Sequence, residues 1–195
     1  MIARATVSAA TLCAVAALGV YATARVSGYA EGAPAGFSGG FGEPSCHACH
    51  FDSDPDSGPG RITIAGVPER FTAGERYPLT VTLSRPEMQL GGFQLTSRFE
   101  NGGAQAGTLA PAGGDDERVG VADQSGILYV SQKKAGTAPT SAGTAVWNLI
   151  WTAPAGDGPV VFHVAANAGN GDGTAEGDHV HTTSVQTAPA SPDPR

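Results

Sequence analysis

Basic residues and cysteine are scarce in this chain, and each shortage argues against a class of function. Its 195 residues include 11 lysines and arginines against 18 acids, a formal net charge of −7. A surface of that sign repels phosphate backbones, so we expect no nucleic-acid partner. There are three cysteines and no second C-x-x-C pair, which disfavours a zinc site. A G-x-S-x-G elbow and a phosphate-binding glycine loop are also absent, so hydrolysis and nucleotide binding are not indicated.

The first thirty residues have the layout of a secretory signal. Arg4 precedes an uncharged, mostly apolar run over residues 7–24, and small-residue cleavage sites end at Ala24 and Ala30. We therefore predict a leader over residues 1–30 and an exported protein, periplasmic or extracellular. The run is near the shortest length that spans a bilayer, so an uncleaved membrane anchor is the alternative. Contact with a membrane is expected only in that case.

The remaining chain has the punctuation of a β-sheet protein. Its 28 glycines and 14 prolines separate short stretches rich in β-branched and aromatic residues, and no window longer than ten residues keeps a helical period. Alternation places Phe93 with Leu95 on one face of a strand, and Trp147 with Trp151 on one face of another, as core anchors. We predict an all-β, immunoglobulin-like two-sheet sandwich over residues 61–187. The predicted strands are 61–67, 77–84, 92–99, 127–131, 146–152, 159–166 and 179–185.

Three stretches lack the pattern of a strand. Residues 31–60 form a glycine-rich segment that carries two cysteines. Residues 101–124 read as a long polar loop, and residues 188–195 as a proline-rich tail that we expect to be disordered. The cysteine-bearing segment is therefore predicted to precede the first strand of the sandwich.

The five residues from Cys46 to His50 read C-H-A-C-H. This is the C-x-x-C-H attachment pattern for c-type haem, in which two thiols add to the porphyrin vinyl groups and the adjacent histidine lies under the iron. We predict Cys46 and Cys49 as the thioether anchors of one haem c, and His50 as the proximal iron ligand. His47 is a solvated spacer in this interpretation, and Cys13 lies within the leader.

Other uses of the two thiols stay open. In an oxidising compartment they could form a small disulfide. A redox C-x-x-C site is less favoured, because the βαβ surroundings of a thioredoxin-like motif are missing. A zinc site would need His47, His50 or a distant histidine to join the thiolates.

Electron transfer favours a second strong ligand on the haem iron. Met88, in a predicted turn between two strands, is the predicted distal ligand, and filling an irregular edge of the core is the alternative. His163, His179 and His181 lie on two strands that we expect to pair. They are alternative distal ligands, or together a separate copper or zinc site. With no distal side chain the iron would stay five-coordinate and open to gas or peroxide.

Two acidic stretches suggest calcium. The first lacks the glycine and glutamate that complete a calcium loop, and solvated turns are the alternative for both stretches. The residues concerned are Asp52, Asp54 and Asp56 in the first stretch, and Asn170, Asp172, Glu176 and Asp178 in the second.

Several phrases between residues 33 and 183 resemble the bacterial extracytoplasmic domain called choice-of-anchor V, which is related to the Reeler (reelin-type) β-sandwich. They are GFSGGFGEPSCHACH, GERYPLTVTL, GGFQLTSRF, WNLIWTAPAGDGPVVFHVAANAGNGDG and GDHVHT. The resemblance implies an immunoglobulin-like sandwich with a haem-attachment segment just before its first strand. It also implies an association with the cell surface.

Together these patterns predict an exported electron carrier with one haem c. Its acidic surface favours basic redox partner proteins. One alternative is an extracellular binding or adhesion module in which the sandwich is the active part. The other is the histidine-based copper or zinc protein.

Overall fold

The computed structural model describes residues 29–156 and 158–191. The predicted leader lies outside the described residues except for its last two positions. Within the described part of the chain, no helix is long and apolar enough to cross a membrane.

Ten strands form two sheets that face each other, so the predicted all-β sandwich is confirmed. The strands are β1 Arg61–Ala65, β2 Arg70–Phe71, β3 Arg76–Ser84, β4 Leu90–Phe99, β5 Thr108–Pro111, β6 Val119–Gln124, β7 Ile127–Gln132, β8 Thr144–Thr152, β9 Val160–Gly169 and β10 His179–Pro189. One sheet has the order β1-β3-β8-β5 and the other β2-β10-β9-β4-β7-β6. Neighbouring strands are antiparallel except β2 and β10, which are parallel. The short 3₁₀ turns are Cys46–Ala48, Asp115–Glu117 and Lys134–Gly136.

Aromatic side chains fill the space between the sheets. Alternate residues of β8 are buried, and Trp147 and Trp151 are fully enclosed, as predicted. The ring of Trp151 meets those of Phe71 and Phe162 edge to face, with centroids 5.4 and 5.0 Å apart. Its indole N–H donates to the Ala106 carbonyl at 3.0 Å. The polar atom of this buried ring is therefore satisfied, as burial of tryptophan requires.

Two of the predicted loop regions are wrong. Residues 101–124 contain β5, a 3₁₀ turn and β6, where a single polar loop was expected. Strand β6 lacks the alternation of buried and exposed residues that predicts a strand. It lies at the edge of its sheet, with only Val119 buried and its last four residues exposed. The tail prediction fails at its start, since Ala188 and Pro189 extend β10 and pair with β2. Residues 192–195 lie outside the described residues.

The N-terminal segment, residues 29–60, lies across the outer face of the six-stranded sheet. The Phe37 N–H donates to Gln94 Oε1 at 2.6 Å, and Gln94 Nε2 donates to the Pro34 carbonyl at 2.9 Å. Because the segment covers this face, β4 is buried on both sides from Phe93 to Arg98. The segment approaches so closely that a Cβ on Gly40 would lie 2.2 Å from the His163 ring. The glycine-rich composition therefore serves close packing of backbone on the sheet.

Candidate functional site

The two cysteines and their following histidine lie on one tight turn. Ser45 precedes it with extended backbone, and its Oγ accepts a hydrogen bond from the His47 N–H at 3.2 Å. The N–H groups of Cys49 and His50 both donate to the Cys46 carbonyl, at 3.1 and 3.0 Å. A serine at this position is a favoured start for a helical turn. The sequence thus brings all three predicted site residues together at the surface.

The two thiols differ in their surroundings. Both are free, with Cys46 half-buried and Cys49 exposed. Burial raises the pKa of the Cys46 thiol to about 12, and the neighbouring Cys49 acts in the same direction. Cys46 is therefore a neutral thiol at physiological pH, and Cys49 is the sulfur that faces solvent.

Asp178 is the nearest charged neighbour of His50. The Nδ1 atom of His50 lies 2.8 Å from Asp178 Oδ2, although the ring N–H does not point straight at that oxygen. The same carboxylate accepts hydrogen bonds from Asn167 Nδ2 at 2.9 Å and the Asn170 N–H at 3.0 Å. Burial alone would raise the pKa of Asp178, but the contacts with His50 and these donors hold it below its usual value. Asp178 is therefore an ionised carboxylate.

Glu43 anchors the chain just before the turn. Its carboxylate contacts the Arg98 guanidinium and the Tyr129 hydroxyl, and accepts from Ser38 Oγ at 2.7 Å. The Arg98 guanidinium also lies 5.0 Å from the centre of the Phe41 ring. Burial, and then the bond to Glu43, raise the pKa of Tyr129 to about 12. The phenol is therefore a hydrogen-bond donor here at any physiological pH.

Two aspartates anchor the chain just after the turn. Asp52 Oδ2 accepts from the Gly177 N–H at 2.9 Å. Asp56 accepts from the N–H and Oγ1 of Thr182 at 2.9 and 2.7 Å, and its own N–H donates to the Val180 carbonyl at 2.9 Å. The Asp56 bonds satisfy backbone groups on the part of the β10 edge that β2 does not cover. The cysteine-bearing turn is thus held on both sides.

Met88, the predicted distal ligand, is a core residue. Met88 is 5 % exposed and belongs to the hydrophobic core between the two sheets. His50 lies on the segment that covers the opposite, outer face of the six-stranded sheet, beside Asp178. This position agrees with the alternative that Met88 fills the core, and Met88 as distal ligand stays a prediction.

The three strand histidines do not form one site. Strands β9 and β10 pair as predicted, and His181 is opposite the core residue Ala166, so His179 and His181 face the core side of β10. His163 is on the other face, where its ring packs against Phe41 with centroids 5.1 Å apart. A copper or zinc site built from all three is therefore wrong for this fold. Among residues 29–156 and 158–191, no group of three or more His, Cys, Asp or Glu side chains is placed to hold a metal ion.

The acidic stretches form hydrogen-bonded turns. Asp172 Oδ1 accepts from both the N–H and Oγ1 of Thr174 at 2.8 Å, and these bonds lower the pKa of Asp172. In the first stretch, Asp52 and Asp56 are directed to different partners, Gly177 and Thr182. Calcium binding stays a prediction.

Sequence reasoning missed the residues that hold the turn in place. Glu43 and Arg98 were assigned no role, and Asp178 was considered only for calcium. A signal for Arg98 exists, since Gln94, Thr96 and Arg98 occupy the alternate positions of a strand whose other face is mostly apolar. A polar face of that kind reads as solvent-exposed until a covering segment is known.

No family model matches the chain, and no curated protein matches it. Among solved structures, the chain is similar to the reeler domain of human F-spondin, with 16 % identity, a TM-score of 0.47, and coverage of 67 % of this chain and 88 % of that one. It is also similar to a cohesin module from a family 33 glycoside hydrolase of Clostridium perfringens, with 12 % identity, a TM-score of 0.44, and coverage of 66 % and 95 %. A conjugative transposon lipoprotein from Bacteroides eggerthii has 16 % identity, a TM-score of 0.38, and coverage of 67 % and 98 %. No ligand or partner carries over at these identities.

Proposed function

We propose that this protein is exported, carries one haem c through Cys46 and Cys49, and exchanges electrons with partner proteins. The observation that carries the proposal is the single surface turn that holds both sulfurs and the His50 imidazole. None of the three residues belongs to the hydrophobic core. When bound, haem c supplies reversible one-electron chemistry at its iron.

The donor set fits such a group. The two thiols are free and His50 is only partly buried, with Asp178 beside Nδ1. That contact leaves Nε2 as the ring nitrogen for a metal, which is the usual division of roles in a metal-binding histidine. We assign no protein side chain to the sixth iron position.

The anchors around the turn support this role. Glu43 on one side and Asp56 on the other tie the turn to the six-stranded sheet, and Asp52 ties it to the loop before β10. A ligand held by packed and hydrogen-bonded neighbours changes little in geometry when the charge on a bound metal changes. The acid excess of the chain favours basic redox partners.

Expression in a host that matures haem c tests the proposal. We expect a reduced α-band and haem that stays on the chain under denaturing conditions. Cys46→Ala with Cys49→Ala should abolish retention, and His50→Ala should alter the spectrum. His47→Ala, one residue into the same turn, is the matched control and should leave both unchanged. Colourless protein from that host, or the two sulfurs joined to each other in native material, would reject the proposal.

A second function, an exported binding module, is favoured by one feature of the core. The core cluster begins at Ile62 and includes no residue of the N-terminal segment, so the apolar core between the sheets is formed without the cysteine turn. If the sandwich is the active part, glycan or matrix binding will survive the Cys46→Ala, Cys49→Ala change. If the haem is the active part, that change will abolish electron transfer while the fold persists.

A further inference from the structure

We propose that Asp178 is the positioning residue for His50. Its carboxylate lies 2.8 Å from Nδ1 and favours the tautomer that is protonated there, so that Nε2 is left to bind iron as a stronger electron donor. This inference rests on the proposed function, because it concerns the iron that His50 would bind. It extends that function by assigning the residue that sets the reduction potential.

The geometry singles out Asp178 among the acids near the turn. Its side chain is 5 % exposed and that of His50 is 28 % exposed, and the two approach to 2.8 Å. Asp52, two residues after His50, instead accepts from the Gly177 N–H. A close carboxylate shielded from water acts more strongly on a neighbouring imidazole than an exposed one, because less solvent screens it.

Asp178 is itself held rigidly. Asn167, within β9, and the Asn170 backbone donate to its two oxygens. Asp178 also immediately precedes β10, so the carboxylate is fixed by two strands of one sheet. A carboxylate positioned in this way can fix the tautomer and orientation of a histidine on a covering segment.

The electronic consequence follows from the charge. A carboxylate close to a protonated Nδ1 makes the ring a stronger electron donor at Nε2, which stabilises ferric over ferrous iron and lowers the reduction potential. Asp178→Asn keeps the shape and removes the negative charge. We expect the ferrous to ferric ratio at a fixed applied potential to rise about tenfold, which is about 59 mV for one electron.

The reduction potential and the iron to histidine stretching frequency of the matured protein test the inference. Asp172→Asn is the matched control, since it removes one charge from the same loop, where Asp172 bonds to Asn170 and Thr174. A larger rise in potential and a lower stretching frequency in Asp178→Asn than in the control support the inference. Equal shifts in the two variants would show that Asp178 acts only through its charge at a distance, and this would overturn the inference.

A haem-free measurement separates this inference from the proposed function. In full-length protein with Cys46→Ser and Cys49→Ser, nitrogen NMR of His50 should report the Nδ1–H tautomer. Adding Asp178→Asn should shift it toward Nε2–H. An Nε2–H tautomer with Asp178 intact overturns the inference even if the protein binds haem and even if the Asn variant does not fold. Absence of haem from matured wild-type protein would instead reject the proposed function.

Discussion

The sandwich and the N-terminal segment are held by different forces. The sandwich buries a continuous apolar cluster in which Trp147 and Trp151 have no exposed surface. The segment contributes no residue to that cluster and is held largely by charged and polar contacts, centred on Glu43 with Arg98, His50 with Asp178, and Asp56 at the strand edge. The comparison indicates that the sandwich provides most of the stability of the molecule, whereas the N-terminal segment carries the candidate functional residues.

The two kinds of attachment respond differently to damage. The free energy gained by apolar burial is roughly proportional to the buried area and depends little on pH. A truncation in the core therefore lowers stability in proportion to the volume it removes. A polar network fails more abruptly, because removing one member leaves its partner buried and unsatisfied. The predictions below use this difference, beginning with the largest effect.

Truncation of a core tryptophan should destabilise the whole molecule. Trp151→Ala removes an enclosed ring that contacts Phe71 and Phe162, and deletions of this size cost about 3–5 kcal/mol. We expect one cooperative denaturant transition, shifted to lower concentration for the sandwich and the segment alike. Trp151→Phe, which keeps most of the buried ring, should lose clearly less. Loss of protection from the segment alone would contradict the assignment of stability to the core.

Removal of the charge on Glu43 should act on the segment and spare the sandwich. Glu43→Gln leaves the buried Arg98 without its ion-pair partner, and hydrogen bonds to charged groups contribute about 1.5–3 kcal/mol. Hydrogen exchange should accelerate over residues 33–44 while β8 and β9 keep their protection.

Asp54→Asn is the matched control for that experiment. Asp54 is an exposed acid of the same segment, and its backbone carbonyl accepts from Ser57. We expect no change in exchange. If Glu43→Gln and Asp54→Asn behave alike, the contrast between the two layers does not hold at this anchor.

Sequence reasoning succeeded where one local pattern decides the structure. The alternation of β8 identifies its buried face from Trp147 to Trp151 without any tertiary information. The spacing of the two cysteines with His50 likewise places three groups on one turn, because five consecutive residues cannot lie far apart.

Sequence reasoning failed where the burial or pairing of a residue depends on which distant parts of the chain pack together. Met88 fits either a ligand or a core residue by its sequence position, and its burial in the core depends on how its turn packs. Arg98 is buried because a segment more than fifty residues earlier in the chain covers it. Strand β2 is two residues long and exists through its pairing with the end of β10. None of these contacts has a periodic signal in the sequence.

The smallest expected effect is a response of the segment to mild acid, through His163. Burial lowers the pKa of His163, and the Arg98 charge adds to this while Glu43 opposes it. When the N-terminal segment is detached from the sheet, the pKa of His163 returns to its ordinary value of about 6.5. The detached state therefore binds more protons than the docked state as pH falls. Docking is therefore fully stable above that pKa and weakens as pH falls through it toward the lowered value.

The Phe37 amide reports this change, since it donates to Gln94 beneath the segment. Its NMR shift should move toward that of a free amide between pH 7.5 and 5.5, by less than Glu43→Gln produces at neutral pH. In His163→Gln the shift should stay nearly constant, because glutamine has no proton to gain in this range. A wild-type response that persists in His163→Gln would assign the pH dependence to another group and leave docking of the segment independent of this histidine.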